Sequence, residues 1–152
     1  MLEAIDNFKL LSPSIATSGQ PDAQELQLIA HAGYEVVINL GLSDTDYAIP
    51  DEREILLSQG LSYYHIPISF SEPEIEKFWQ FLQVVKKHSK QKMFIHCAAN
   101  KRVSVFMALY RHIEQNWNLD DALEEAETIW QPDDNWCLFI DAIIASHRTS
   151  SS

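Results

Sequence analysis

Apolar residues along this chain fall into two alternating patterns, short continuous runs and longer runs at helical spacing. The continuous runs, rich in β-branched and aromatic side chains, predict buried strands at residues 15–17, 36–38, 63–68 and 93–95. The runs at helical spacing predict helices between these strands. Strands that alternate with helices are typical of parallel sheets covered on both faces. We therefore predict an α/β fold with a small, mostly parallel sheet flanked by helices.

Two capping sequences mark the starts of helices. Asp22 is followed three positions later by Glu25, and Ser71 is followed at the same spacing by Glu74. In a capping box the first side chain accepts a hydrogen bond from an amide of the opening turn, and the acidic side chain reaches back to the first amide. Helices are therefore predicted to open at Asp22 and Ser71, and a shorter helix is predicted at 51–59.

The last third of the chain carries helical patterns only. Asn118 caps a helix predicted to run to about residue 130, and Pro132 ends it because proline cannot continue the helical hydrogen bonds. A last helix opens at Asp134 or Asn135 and runs to about residue 146. This pattern predicts one domain over residues 1–147, with a helical C-terminal third and a loose tail at 148–152.

The charge balance narrows the possible functions. Eleven basic and twenty-two acidic side chains give a net charge of −11, which opposes binding to nucleic acids and anionic membranes. No apolar run reaches the roughly 18 residues of a membrane span, and the first residues lack the pattern of a signal peptide. We therefore expect a cytoplasmic protein, unless a signal peptide has been removed, that binds neither nucleic acid nor membrane.

The two cysteines, Cys97 and Cys137, are too few for a disulfide framework or a zinc site of known spacing. No metal and no cofactor are therefore predicted. Cys137 lies in the apolar stretch W-C-L-F-I and is predicted to lie in the core. Cys97 has a different setting, because it stands where a predicted strand meets a predicted helix.

Around Cys97 the sequence reads M-F-I-H-C-A-A-N-K-R-V-S-V-F-M-A-L-Y. The amides of a strand-to-helix turn converge at the helix N-terminus, where the helix dipole adds positive charge, so such a turn binds anions. Arg102 can donate two parallel hydrogen bonds to an oxyanion, and Lys101 adds a second positive charge. The same field stabilises a cysteine thiolate. These residues predict a reactive Cys97 inside an anion-binding loop.

The sequence H-C-A-A-N-K-R-V-S resembles the phosphate-binding loop of cysteine-dependent protein tyrosine and dual-specificity phosphatases. Upstream, S-G-Q-P, a helix, Gly33-Tyr34 and V-V-I-N-L look like the opening of a bacterial branch of these proteins, some of which are fused to β-lactamase-like hydrolases. The resemblance covers residues 15–110. It implies a cysteine-phosphatase fold, Cys97 as nucleophile, Arg102 as oxyanion clamp and a phosphate-binding loop made of Cys97, Ala98, Ala99, Asn100, Lys101 and Arg102.

Three features of this loop depart from the usual phosphatase pattern. Four residues separate Cys97 from Arg102 instead of five, a spacing that is also found in rhodanese sulfurtransferases. Asn100 stands where glycine is usual, and asparagine tolerates the positive φ that such a turn needs. The hydroxyl residue, Ser104, follows Arg102 by two positions instead of one, and the resemblance implies a supporting role for it at the thiolate. His96 is expected to orient the Cys97 loop through its ring nitrogens.

The resemblance also implies a carboxylic acid that protonates the leaving group. Phosphatases of this type usually carry an aspartate on the loop after the strand corresponding to 63–68. Here that loop reads S-F-S-E-P-E, and its Glu72 belongs to a predicted cap. Asp44 and Asp46, in the polar loop after the strand at 36–38, face the same edge of the sheet as Cys97 and are ranked ahead of Glu72 as the acid.

Three functions remain open on the sequence. The first is a metal-independent, cysteine-dependent phosphatase that hydrolyses a phosphate monoester, on a phosphoprotein or a small molecule, through a phosphocysteine. The second is a rhodanese-like sulfurtransferase with a Cys97 persulfide. The third is a catalytically weak phosphate-binding module. The expected partner is a phosphorylated substrate, and the sequence leaves the oligomeric state open.

Overall fold

Strand β5, which leads into Cys97, occupies the middle of a five-stranded sheet with the order β1-β2-β5-β3-β4. The structure is a computed structural model and describes residues 1–150. Strand β1 pairs with β2 antiparallel, and all other pairings are parallel. The strands are β1 (Lys9–Ser12), β2 (Ile15–Ser18), β3 (Val36–Asn39), β4 (Ser62–His65) and β5 (Met93–His96). The predicted α/β fold with a small, mostly parallel sheet is confirmed.

Both faces of the sheet are covered by helices, which explains why β2, β3 and β5 are buried along their whole length. The helices are α1 (Ala23–His31), α2 (Glu52–Ser58), α3 (Ile75–Lys87), α4 (Lys101–Glu114), α5 (Leu119–Glu127) and α6 (Asp134–Ser150). Side chains of α3, α4 and α6 form the larger core with Ile38 and Ile95, whereas α1 and α2 pack on Val37 and Phe94. Within residues 1–150, no helix is long and apolar enough to cross a membrane.

The helix starts follow the predicted caps at two places and differ at a third. The Asp22 side chain accepts a hydrogen bond from the Glu25 backbone amide at 2.8 Å, and the Glu25 side chain accepts one from the Asp22 backbone amide at 2.9 Å. The first capping box is therefore confirmed. Asn118 caps α5 by accepting from two amides. The capping box at Ser71 is wrong: α3 begins at Ile75 because the Ser69 hydroxyl accepts from the Glu72 amide in a local turn instead.

Several predicted boundaries also shift. Strand β4 ends at His65, although the Ile68 amide still bonds to Leu40 of the neighbouring segment. Helix α5 ends at Glu127, three residues before the predicted end. Helix α6 continues to Ser150, so residues 148–150 are helical and not loose, while 151–152 lie outside the described residues. Strand β1 has no counterpart in the prediction.

The placement of Cys137 in the core is wrong. Its side chain is exposed on α6, whereas Trp136 beside it is fully buried. Successive helical residues point about 100° apart, and α6 packs on the core with one face only, so part of the string W-C-L-F-I is exposed. Cys97 is the buried cysteine of the two, and the exposed Cys137 provides a matched control for thiol chemistry.

Candidate active site

Cys97 directly follows β5, and the segment from Ala98 to Asn100 turns the chain into α4. Asn100 has a φ of 64°, so the left-handed turn predicted for this asparagine is confirmed. Within the described residues, the amides of Ala98, Ala99, Lys101 and Arg102 have no protein acceptor. Unpaired amides at a helix N-terminus are donors for an anion. The loop therefore presents hydrogen-bond donors beside the thiol.

The segment S-G-Q-P, at residues 18–21, braces this loop from the adjacent strand. The Gln20 amide donates to the Ala98 carbonyl at 3.0 Å, and Gly19 lies opposite Ala99 in an isolated bridge. A Cβ atom on Gly19 would lie 2.6 Å from the Ala98 carbonyl oxygen. On the other side of the turn, the Asn100 amide group donates to Thr17 at 3.0 Å. The path of the loop is therefore fixed by contacts that only glycine permits at position 19.

Gly19→Ala is expected to reduce both activity and stability. The added methyl would overlap a backbone oxygen, so the Cys97 loop must shift, and overpacking of this kind costs about 1–3 kcal/mol. Urea unfolding and turnover of p-nitrophenyl phosphate measure the two effects. Gly60→Ala is the matched control, because it introduces strain at a φ of 85° in open space and should leave turnover unchanged. Normal turnover in Gly19→Ala would show that the brace does not position the loop.

Arg102 is held by both neighbouring loops. It is 5% exposed, its Nη1 donates to the Ile68 carbonyl at 2.7 Å, and its Nη2 donates to the Tyr47 hydroxyl at 3.4 Å. These bonds use two of the five guanidinium hydrogens and leave three for a ligand. Arg102 lines a cavity of about 210 Å³ together with Phe70, Cys97, Ala98, Ala99 and Lys101. The structure therefore brings the predicted nucleophile and oxyanion clamp to one open cavity.

Tyr47 is a residue of this site that the sequence prediction missed. Its hydroxyl oxygen accepts from the Leu42 amide at 2.8 Å and from Arg102. Burial alone would raise the pKa of the Tyr47 phenol, but the hydrogen bonds from Arg102 and Leu42 outweigh it and lower the pKa from its ordinary value of 10.0. The loop after β3 was expected to face Cys97, but nothing in its composition distinguished the tyrosine from its acidic neighbours.

Asp44 and Asp46 lie in this same loop, and both are exposed. Neither lines the cavity that contains Cys97, and Glu72 is likewise exposed beyond β4. The structure therefore brings Tyr47, and not these carboxylates, to Arg102. The acid role predicted for Asp44 and Asp46 receives no support from their placement.

The Ser104 hydroxyl points to the start of α4. It donates to the Lys101 carbonyl at 2.6 Å and accepts from the Trp130 indole at 3.0 Å. Ser104 lines a small, separate cavity with Thr17 and Asn100. The two-residue spacing from Arg102 rotates this hydroxyl around the helix, so the predicted supporting role at Cys97 is not supported.

His96 lies beneath the Cys97 loop, and its partner Glu52 was missed by the sequence prediction. Its Nε2 lies 2.6 Å from Glu52 Oε2, and its Nδ1 lies 3.5 Å from the Cys97 carbonyl. Gln20 donates to the other Glu52 oxygen at 2.9 Å. Burial alone would raise the pKa of Glu52, but the charge of His96 and the bonds from His96 and Gln20 lower it from its ordinary value of 4.5. Glu52 is therefore a buried carboxylate.

Comparison with known proteins agrees with this geometry. A family model, DSP-PTPase phosphatase fused to NAD+ kinase, matches residues 9–135. A DUF442 protein of Shewanella putrefaciens CN-32 is 29% identical, with 96% of each chain covered and a TM-score of 0.86. Tk-PTP in its active form is 20% identical, with 90% of this chain and 95% of that chain covered and a TM-score of 0.77. A search of curated proteins finds no match.

A third similar structure is the core catalytic domain of the PP-IP phosphatase SIW14 from S. cerevisiae. It is 20% identical, with 90% of this chain and 85% of that chain covered and a TM-score of 0.75. The two structures at 20% identity support the fold, and the family match extends over the Cys97 loop and both loops that hold Arg102. The chain therefore belongs to the family DSP-PTPase phosphatase fused to NAD+ kinase, and it is a metal-independent phosphoric monoester hydrolase of the protein tyrosine and dual-specificity class.

Proposed function

We propose that this phosphatase hydrolyses aryl phosphate monoesters, phosphotyrosine among them, through a phosphocysteine at Cys97. The observation that carries the proposal is the position of Cys97 in an open cavity, next to unpaired loop amides and the buried Arg102. Phosphoryl transfer depends mainly on positioning and charge stabilisation, which such a loop supplies.

In the proposed reaction the Cys97 thiolate attacks phosphorus in line with the ester oxygen. The S–P bond forms as the P–O bond breaks, and the leaving group departs as a phenolate that takes its proton from solvent water. Loop amides and the three remaining Arg102 hydrogens bind the equatorial phosphoryl oxygens. Water then attacks the phosphocysteine, the S–P bond breaks, and inorganic phosphate leaves with the thiolate restored.

The walls of the cavity favour an aromatic leaving group. Phe70 is 38% exposed at the rim, where its ring packs against Trp130 and Trp136. A ring held in this way can contact a substrate ring. Lys101 and Arg102 are the cations among the residues that line the cavity, and the chain carries a net charge of −11. A ligand with many phosphates would find few cationic partners here, so a monoester with one phosphate is the better fit.

The supply of a proton points to the same substrate class. The residues that line the cavity include no carboxylate, and a phenolate leaves more readily without protonation than an alkoxide does, because a phenol has a pKa of about 10. For Asp44 or Asp46 to donate the proton, the loop after β3 would have to move toward Cys97. A free catalytic thiol also fits the reducing cytoplasm expected from the sequence.

The test is turnover by the purified wild-type protein in the presence of a chelator. We expect vanadate-sensitive hydrolysis of p-nitrophenyl phosphate and phosphotyrosine at least about 10²-fold faster, in kcat/KM, than that of serine phosphate. NADP⁺ belongs in the panel because the family is described as fused to NAD+ kinase. Faster hydrolysis of serine phosphate or NADP⁺ would contradict the aryl preference.

The two alternative functions, sulfurtransferase and phosphate-binding module, predict different results in these assays. A sulfurtransferase would transfer sulfur from thiosulfate to cyanide, which the four-residue Cys-to-Arg spacing leaves open. A phosphate-binding module would bind inorganic phosphate but hydrolyse none of the esters above background. Either outcome would replace the phosphatase mechanism on Cys97, while phosphate binding at the loop would remain.

A further inference from the structure

The carboxylate of Glu52 lies behind the Cys97 loop, although Glu52 belongs to a different element, the first turn of α2. Its residue is 3% exposed, and His96, its partner on β5, is 0% exposed. The 2.6 Å bond between them joins positions 44 residues apart. Burying a carboxylate costs several kcal/mol unless it is paired and hydrogen-bonded, so an interaction of this kind has to be fully satisfied.

Both ring nitrogens of His96 have a partner that accepts hydrogen bonds. One ring nitrogen faces the Glu52 carboxylate, and the other faces the Cys97 carbonyl at 3.5 Å. Both partners are acceptors in this arrangement, and a proton on each ring nitrogen would let both contacts be hydrogen bonds. A histidine that donates from both nitrogens is an imidazolium, which carries a positive charge.

We propose that Glu52 is a positioning residue of the phosphatase reaction, which holds His96 as an imidazolium next to the Cys97 backbone and thereby stabilises the Cys97 thiolate. The inference rests on the proposed function of Cys97 as a nucleophile. The negative end of the pair lies at the far ring nitrogen and the positive end lies against the Cys97 backbone. The thiolate therefore experiences a net attraction, although the pair as a whole is neutral.

Other charged or titratable groups near Glu52 lie on β4 and α2. Tyr63 and His65 on β4 and Arg53 on α2 line a cavity of about 230 Å³ with Glu52. Burial and the charge of Glu52 raise the pKa of Tyr63, which therefore stays neutral. The side-chain amide of Gln20, which follows β2, donates a hydrogen bond to the other carboxylate oxygen of Glu52. Among the groups that contact Glu52, His96 is thus the one with an ion-pairing geometry.

Glu52→Gln separates charge from geometry. The new amide nitrogen can donate to His96 Nε2, and the new amide oxygen can still accept from Gln20. His96 would then be neutral, with its remaining hydrogen on Nδ1, where it still donates to the Cys97 carbonyl. The hydrogen-bond pattern beneath the loop is preserved, while the positive charge is lost.

Two measurements test this without requiring turnover. Nitrogen-15 NMR of wild-type His96 should show both ring nitrogens protonated at pH 7.5. Iodoacetamide alkylation of Cys97 should slow about tenfold at pH 6.5 in Glu52→Gln, with the pH of half-maximal rate moved upward. All alkylation variants carry Cys137→Ser, because the exposed Cys137 would otherwise react as well. Glu54→Gln is the matched control, since it removes one exposed carboxylate from the same helix.

In Glu52→Gln we expect kcat for p-nitrophenyl phosphate to fall about tenfold. KM should be unchanged, because the loop amides and Arg102 still bind phosphate. A neutral His96 in the wild type would overturn the proposal, as would a wild-type alkylation profile in Glu52→Gln or an equal shift in Glu54→Gln. If the NMR and alkylation results hold while no ester is hydrolysed, the proposed function fails, whereas the effect of Glu52 on the ionisation of Cys97 stands.

Discussion

Cys97→Ser is expected to abolish hydrolysis of p-nitrophenyl phosphate, with a loss of at least about 10⁴-fold in kcat. The serine hydroxyl at this position would have no general base among the residues that line the cavity, which include no histidine or carboxylate. A thiolate stabilised by a helix N-terminus is ionised near neutral pH, whereas an alcohol in the same field is not. The measurement is steady-state turnover at saturating substrate.

The same variant separates catalysis from binding. The loop amides and Arg102 do not depend on the sulfur, so calorimetry should show inorganic phosphate bound by Cys97→Ser with an affinity within about tenfold of the wild type. Cys137→Ser, a change at the exposed cysteine, should retain full turnover. Substantial hydrolysis by Cys97→Ser would exclude the covalent mechanism, and equal losses in both variants would point to an indirect effect of thiol removal.

The parts of this site that could be predicted from the sequence lie close together in the chain. His96, Cys97 and Arg102 are within seven residues, and a strand, a turn and a helix in that order place them at one sheet edge. The left-handed turn at Asn100 followed from the conformational tolerance of asparagine. Local backbone rules act over such distances, so a short stretch of sequence was sufficient.

Glu52, Tyr47 and Phe70 could not be predicted because their contacts are long-range. In the sequence, Glu52 is an acidic residue in the first turn of a helix, where carboxylates are normally solvated. Only the packing of α2 on the sheet places it against His96, 44 residues away. Periodicity defines which face of a helix is buried, but it does not define which strand residue that face meets.

The exposed positions of Asp44 and Asp46 could not be predicted for a related reason. The loop after β3 lies at the correct edge of the sheet, as the rule for parallel strands requires. The turn of the loop decides which of its side chains points inward. A 2.8 Å hydrogen bond from the Leu42 amide to the Tyr47 hydroxyl stabilises that turn. Asp44 and Asp46 are left at the surface by the same turn.

Arg102→Lys is expected to lower kcat by about 10²- to 10³-fold while the chain remains folded. Lysine keeps the positive charge and can still reach a carbonyl such as that of Ile68, so the substitution costs about 1–3 kcal/mol of stability from the altered buried hydrogen bonds. It cannot donate to Ile68, Tyr47 and two phosphoryl oxygens together, because it has three donors in place of five.

Because the lost bonds strengthen as charge moves onto the phosphoryl oxygens, the effect should fall on kcat more than on KM, and vanadate affinity should fall with kcat. Arg53→Lys, at an exposed arginine on α2, is the matched control and should change neither. Urea unfolding establishes that the Arg102 variant is native under assay conditions. A folded Arg102→Lys protein with wild-type kcat would mean that a point charge is sufficient at this position, so the forked geometry fixed by Ile68 and Tyr47 would have no part in catalysis.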